Sequence, residues 1–369
     1  MPTNPLLRPT LLPGLARLWR DRATLQLGSD PAHAVLLDLT DPAQSRLLDL
    51  LDGSRSTRAV LDHAARLGVP ADQARHLLDM LIARGLIVGA HTLLPANLPE
   101  HARHRLTAEA TALALRRDEL PGTPAQILRR RAAARIVLTG RGRLARPLAV
   151  AVAEAGIGHV AIDLTGTRDA RDAVATAVSR AVPGVETRPV RRGQATLTVL
   201  LGADRPANLL AASYARHRQA HLLVDIRDRT PVVGPLVPPT GTPCLNCLDL
   251  HRRDRDPGWP QLASQLCAIG PATICDSATL LAAVSVGTAE ILAFVDGGSP
   301  ETIGAALEVH APARLRRRAW PAHQGCHCHR RRRPRRCTPG RSPADGVGHA
   351  PGAGGMSHAQ GGVTVRDRR

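Results

Sequence analysis

The 369-residue sequence contains no lysine; all 49 of its basic residues are arginine. That excludes chemistry requiring a lysine ammonium, whether as a Schiff base or as a phosphate contact. Aromatic residues are nearly absent, the full set being Trp19, Trp259, Trp320, Tyr214 and Phe294. A core must therefore be built from Ala, Leu, Val and Ile, and a hydrophobic content of 43% allows a sizeable one. No apolar run reaches the roughly 18 residues of a membrane span. The most apolar stretch, 280–295, is interrupted by Ser285, Gly287, Thr288 and Glu290. Met1 to Leu12 lacks the basic-then-apolar order of an export signal. We therefore expect a cytoplasmic protein with no membrane partner. Seven cysteines, an odd number, then favour metal binding or chemistry over disulfides.

A formal charge of +18 suggests nucleic acid as a partner, but its location argues otherwise. Residues 1–90 hold ten arginines and nine aspartates, whereas Arg314–Arg336 holds ten arginines and no acid. The excess is a terminal feature, and no specific nucleic-acid partner is expected.

Residues 1–94 read as one module. After a loose lead-in over 1–22, strands are expected at 23–27 and 34–39, joined by Gly28-Ser29-Asp30-Pro31. Three helices follow: one opening at Asp41-Pro42, one over 57–67 and one over 71–84, stopped in turn by Gly53, Gly68 and Gly85. Segments 86–88 and 91–94 would form a closing hairpin. This order predicts a winged-helix type of module. Its third helix carries Asp72, Arg75, Asp79 and Arg84, which sum to zero charge, so DNA binding is a weaker reading than peptide binding. Residues 95–130 read as a linker with one helix near 107–120. From Arg135 strands and helices alternate, the pattern of a parallel α/β sheet. Strands are expected at 135–139, 159–163, 196–201, 221–225 and 232–237, with helices at 144–155, 170–181, 207–219 and 278–295. The domain spans 131–329. The Arg, Gly and Pro-rich tail, 330–369, is expected to be disordered.

Two motifs carry chemistry. Strand 135–139 runs into Gly140-Arg141-Gly142-Arg143-Leu144-Ala145 and then a helix, a Gly-x-Gly-x-x-Ala turn of the Rossmann type. Its glycines let backbone approach a phosphate, and the helix N-terminus attracts the charge. Asp163 ends the next strand at a distance suited to a ribose hydroxyl. The alternative is a turn of this shape that binds no nucleotide. The second motif is Cys244-Leu245-Asn246-Cys247, followed about eighty residues later by Cys326-His327-Cys328-His329. Four thiolates in tetrahedral array suit structural zinc. The short spacing of the second pair leaves His327, His329 or Cys337 as replacement ligands. A redox Cys-x-x-Cys is less favoured, since no helix start is evident after Cys244. Cys267 and Cys275 fall in an irregular segment and read as small buried hydrophobes. The charged run 249–256 reads as a solvated loop or a partner surface.

From Arg135 to Cys328 the order of parts resembles the ThiF family, which includes ubiquitin-activating-like adenylyltransferases. The resemblance rests on Gly140–Ala145, on Glu154-Ala155-Gly156-Ile157-Gly158-His159-Val160 with Asp163, on Pro243–Leu248, on 285–294 with Gly287, Ala289 and Glu290, and on Cys326 and Cys328. With residues 10–94 in front, the chain is similar to a branch of leader-peptide-binding partner proteins from thiazole/oxazole-modified microcin pathways. The resemblance implies a zinc-bearing Rossmann-like domain. It also implies a recognition module that binds the leader of a ribosomal precursor peptide and delivers it to a YcaO-type cyclodehydratase. Gly140, Gly142, Ala145, Asp163 and, for magnesium, Asp204 would be its nucleotide residues.

The chain also departs from that family. The arginine-bearing segment that adenylating members carry after the acidic strand end has no match after Asp163, where Arg168 and Arg171 are near but unaligned. Those members also use a lysine. Phosphate charge would be poorly met. We therefore expect a degenerate scaffold without catalytic residues, with structural zinc and doubtful use of ATP and magnesium. Arg75, His76, Asp79, Leu86, Ile87 and Val88 are the expected peptide groove. An active ATP-dependent adenylyltransferase and a winged-helix DNA-binding regulator are the rival readings, and a homodimer is left open.

Overall fold

The computed structural model describes residues 8–30, 34–39, 42–191, 193–202, 205–241, 243–269 and 274–328. Asp204, His329, Cys337 and the tail expected to be disordered lie outside the described residues.

The N-terminal module begins earlier than its sequence suggests. β1 (Pro9–Leu11) and β2 (Arg17–Trp19) occupy the expected lead-in, followed by β3 (Thr24–Leu27) and β4 (Val35–Asp38). β2, β3 and β4 form an antiparallel sheet in that order, so β2 and β4 are its edges. A 3-10 helix (Pro42–Leu50), α1 (Thr57–Arg66) and α2 (Ala71–Ala83) pack beneath it. Ser56 caps α1 through its side chain, which accepts from Ala59 N–H. The core is aliphatic throughout, with Leu25, Leu37, Leu47, Leu48 and Leu81 almost fully buried.

The expected closing hairpin is not formed. β5 (Ile87–Gly89) instead pairs with β1, Leu11 facing Ile87, and α3 (Ala90–Leu93) follows directly as one helical turn. The reason lies in the lead-in: Thr10 and Leu11 supply a partner strand from far away in sequence, which local periodicity cannot register. The linker is likewise structured. α4 (Glu100–Leu115) and α5 (Pro124–Ala133) share an apolar cluster with Leu12 and Leu93. Thr123 and Gln126 close a capping box at the start of α5, with Pro124 in the first turn.

The main sheet follows, built by β6 (Arg135–Gly140), α6 (Ala145–Glu154), β7 (His159–Leu164), α7 (Arg168–Ala181), β8 (Leu197–Leu201), α8 (Ala207–Arg216), β9 (His221–Arg227) and β10 (Thr230–Val237). After β10 come α9 (Leu245–Arg255), α10 (Trp259–Ile269), α11 (Ser277–Asp296), β11 (Ala305–Ala311) and β12 (Arg314–Ala319). The seven strands lie in the order β12-β11-β10-β9-β8-β6-β7. β7, β6, β8 and β9 are parallel and the other three antiparallel. α6 and α11 pack on one face through Leu148, Val152, Ala283, Val284 and Ile291. α8 and α9 cover the other through Leu210 and Leu245 against Leu200 and Leu223.

Ser277–Asp296 is long and apolar enough to cross a membrane by length and composition. Here it is the central core helix, with Ile291 fully buried. Ala283, Val284, Gly287 and Ile291 turn inward, while Leu281, Ser285 and Ala289 form an exposed stripe on the other side.

Candidate functional site

Three regions bear the residues singled out above. The first is the cysteine set. Cys244 is the N-cap of α9, and Cys247 N–H donates to Cys244 carbonyl oxygen at 3.0 Å, so the pair sits on one helical turn. The helix start missing from the sequence reading is therefore present. What argues against a redox pair is the company the thiols keep. Sγ–Sγ distances are 3.9 Å for Cys244–Cys247, 3.6 Å for Cys244–Cys326 and 3.3 Å for Cys247–Cys328. All four sulfurs lie within 4.8 Å of one another. Tetrahedral zinc with Zn–S bonds of about 2.3 Å would set sulfurs roughly 3.8 Å apart. The donor set and its spacing fit a metal ion. Among the described residues the fourth sulfur of the set is that of Cys328, while His327 is exposed and outside the set. Asn246 Nδ2 donates to Cys326 Sγ at 3.4 Å, a polar contact that orients the second pair.

The protonation of this set argues the same way. Cys247 is pulled down to about 4, first by hydrogen bonding from the Cys244 thiol. Cys328 is pushed up to about 12, first by burial and then by its hydrogen bond to Cys247. Cys244 is pushed up too, because its thiol donates to Cys247 and is partly buried. With Cys247 ionised, Cys244 and Cys328 are held protonated unless a cation compensates.

The segment after Cys247, expected to be a loop, continues as α9. Its far end is tied to the segment just before the second cysteine pair. His323 Nε2 lies 2.7 Å from Asp254 Oδ2, while Gly325 N–H donates to His323 Nδ1 at 3.0 Å. With Nδ1 accepting, Nε2 carries the proton and donates to Asp254, holding its carboxyl below the ordinary range. His251 Nε2 meets the Pro321 carbonyl at 3.0 Å. His251, Asp254 and His323 are close enough to suggest a second metal group, but both His323 nitrogens already have partners. Sixty-nine residues separate Asp254 from His323, so no sequence signal could have paired them. Cys267 falls on α10, and Cys275 is buried just before α11, where burial raises its thiol.

The second region is the glycine loop. Gly140 ends β6 and Asp163 stands exposed opposite Thr139 at the end of β7. Gly142 turns the chain with φ +129° into α6, whose first turn begins at Ala145. Thus Gly140, Gly142, Ala145 and Asp163 gather at the carboxyl end of the parallel strands. There β6 is flanked by β7 and β8, a topological switch point where α/β sheets bind ligands. Gly140 also has a purely internal reason to be glycine. Its φ is +99°, and a Cβ would stand 2.3 Å from the Leu201 carbonyl oxygen. The loop's arginines reach the segment before α11. Arg141 donates to the Ile269 carbonyl at 3.4 Å and Arg143 to that of Cys275 at 2.6 Å. A cavity of about 580 Å³ beside them is lined by Arg143, Arg229, Cys275, Asp276 and His310.

The third region is the expected peptide groove. Arg75, His76 and Asp79 are exposed on α2. Leu86 and Ile87 are 6% and 2% exposed and belong to the core, and Val88 is half-buried. The six residues do not form one open surface. Among the described residues β4 pairs on one side only; its Val35 and Leu37 point inward and its Leu36 is 47% exposed.

No family model and no curated protein matches this chain. Solved structures do. MccB from E. coli with bound ATP is similar over 86% of this chain and 98% of its own, at 12% identity and a TM-score of 0.57. The microcin C7 biosynthetic enzyme MccB in complex with N-formylated MccA is similar over the same shares, at 14% identity and 0.56. A heterocyclase in complex with substrate and cofactor matches 85% of this chain but 38% of its own, at 15% identity and 0.53. At these identities the likeness shows the fold, and it bears out the ThiF-like architecture that the sequence resembles.

Proposed function

We propose that this chain binds the leader of a ribosomal precursor peptide and presents it to a YcaO-type cyclodehydratase, as a degenerate ThiF-like scaffold with one structural zinc. One observation carries the reading: an N-terminal module with its own core, and with β4 unpaired on its outer side among the described residues, precedes a ThiF-like sheet, in the fold of an enzyme whose structure holds N-formylated MccA. Strand addition to β4 would supply backbone hydrogen bonds, with selection by pockets for alternate side chains. The groove expected at 86–88 is replaced in this reading by β4 and the exposed face of α2. Leu36→Pro removes one edge N–H and bends the strand, and should weaken leader binding by about tenfold or more, read by fluorescence anisotropy on the full chain. An unchanged affinity for the precursor encoded nearby would sink the reading.

The cavity beside the glycine loop favours a second reading, ATP-dependent adenylation. Arg143 and Arg229 line it, and arginine can contact phosphate where lysine is lacking. ATP–pyrophosphate exchange that vanishes in Asp163→Ala would establish it. No exchange in a folded, metal-loaded sample leaves the scaffold reading standing.

Zinc would be held by Cys244, Cys247, Cys326 and Cys328, joining the start of α9 to the segment after β12. Because Cys244 and Cys328 are held protonated near neutrality, loading must displace at least two protons. Affinity should therefore rise with pH, by about 100-fold per unit near neutrality, in competition with a chromophoric chelator. A flat dependence would contradict the protonation pattern described above.

A further inference from the structure

A cavity of about 400 Å³ opens at the end of the sheet opposite the glycine loop, between α8, the start of β9, the end of β10 and the cysteine set. Ala211, Ala215, Val237 and Pro238 give it an apolar wall. His221, the first residue of β9, also lines it and is only 3% exposed. The His221 Nδ1 lies 3.0 Å from the Gln219 carbonyl oxygen, which can only accept. Nδ1 therefore carries the ring proton, and Nε2 presents a bare lone pair. That Nε2 is buried and has no hydrogen-bond partner. Tyr214 stacks on the imidazole, ring centroids 4.4 Å apart and planes 22° from parallel, so the ring is held in place. Burial lowers the His221 pKa to about 4, which keeps the ring neutral and accepting across the physiological range.

A buried acceptor without a donor is rare in native proteins and calls for a specific explanation. No described residue donates to Nε2, and because the atom is closed off from solvent, a donor arriving from the cavity must displace part of the lining to reach it. Charge at the cavity is mixed. Arg218 stands on one side and the cysteine sulfurs on another, so neither a cation nor an anion is matched throughout. We propose that this cavity binds a small neutral molecule with an apolar body, directing one N–H or O–H donor at His221 Nε2. Such a site is independent of nucleotide, since it lies at the other end of the sheet. It would use Tyr214 to fix the acceptor and the aliphatic wall to hold the body of the ligand.

Indole and 1-methylindole test this, because they share one flat body and differ in a single donor. The full zinc-loaded chain, labelled with 15N-histidine, would be titrated with each and followed by NMR. Indole should bind saturably and move the Nε2 resonance of His221, and 1-methylindole should bind at least about tenfold more weakly. His221→Phe, which keeps a flat ring beside Tyr214, should abolish the difference between the two. Equal binding of both probes by the wild type, an unmoved Nε2 resonance, or binding of neither would overturn the proposal. The wild-type comparison decides even if the variant fails to fold.

Discussion

If the four sulfurs hold zinc, as proposed, a chain carrying both Cys244→Ser and Cys247→Ser should bind none and lose most of its soluble yield. The four sulfurs come from two segments about eighty residues apart, which also meet through His251 with Pro321 and Asp254 with His323. Cys247 is 0% exposed, so its substitution also leaves a hydroxyl in a space sized for sulfur. Structural zinc sites contribute on the order of 10 kcal/mol of binding free energy that appears as folding free energy. The expected result is a metal content below about 0.1 equivalents and a chain that aggregates on heating well before the wild type. Wild-type zinc content in the double variant would remove the metal from this account. The single variant Cys328→Ser is the finer instrument. With three sulfurs left, it should keep some metal but lose it rapidly to a chelator.

The second large effect is expected at Arg131, which looks unremarkable in the run Leu128-Arg129-Arg130-Arg131. Its guanidinium is 2% exposed and meets Asp296 with two hydrogen bonds, Nε to Oδ1 at 2.8 Å and Nη2 to Oδ2 at 2.6 Å. Nη1 donates to Glu109 Oε1 at 2.6 Å and to the Ala155 carbonyl at 2.9 Å. Burial opposes the charge on Arg131, but the two carboxylates outweigh it and its pKa is raised. Through this one side chain α5 is tied to α4, to the end of α6 and to the end of α11. Arg131→Ala would strand Asp296, itself 2% exposed, as an unpaired buried carboxylate. A loss of about 3–5 kcal/mol is expected in denaturant unfolding. The pair Arg131→Met, Asp296→Leu should recover most of it, because the cost lies in the unpaired charge rather than in the absent bridge. If Arg131→Ala unfolds like the wild type, the cluster is not what joins the linker helices to the sheet.

Much of the fold was legible in the sequence wherever a segment's structure is set by its own periodicity. The four parallel strands, the helices between them, α1 and α2 fall within a few residues of expectation, since each shows apolar spacing or a cap of its own. The cysteine set was legible for a related reason: few residue types offer thiolates, and two close pairs point to one metal. Other elements were not legible because their stability comes from elsewhere. β12 reads Arg-Leu-Arg-Arg-Arg-Ala and has no apolar face, being an edge strand held by pairing with β11, where Arg318 meets Glu308 at 2.7 Å. β5 looked like half of a hairpin until β1, some eighty residues earlier, claimed its edge.

By itself, then, the sequence determined the order of parts: a small aliphatic module, a Rossmann-type turn at Gly140–Ala145, and two cysteine pairs flanking a long apolar helix. Local propensity and hydrophobic period act over a turn or two of chain, and these features lie within that range. The tertiary structure alone decided which residues meet. It closed four sulfurs into one set, locked His323 between Gly325 and Asp254, buried Arg131 on Asp296, and left His221 with an unmet lone pair beside a cavity. Each of these depends on distances between segments far apart in the chain, set by how sheet and helices pack, and no spacing along the sequence encodes them.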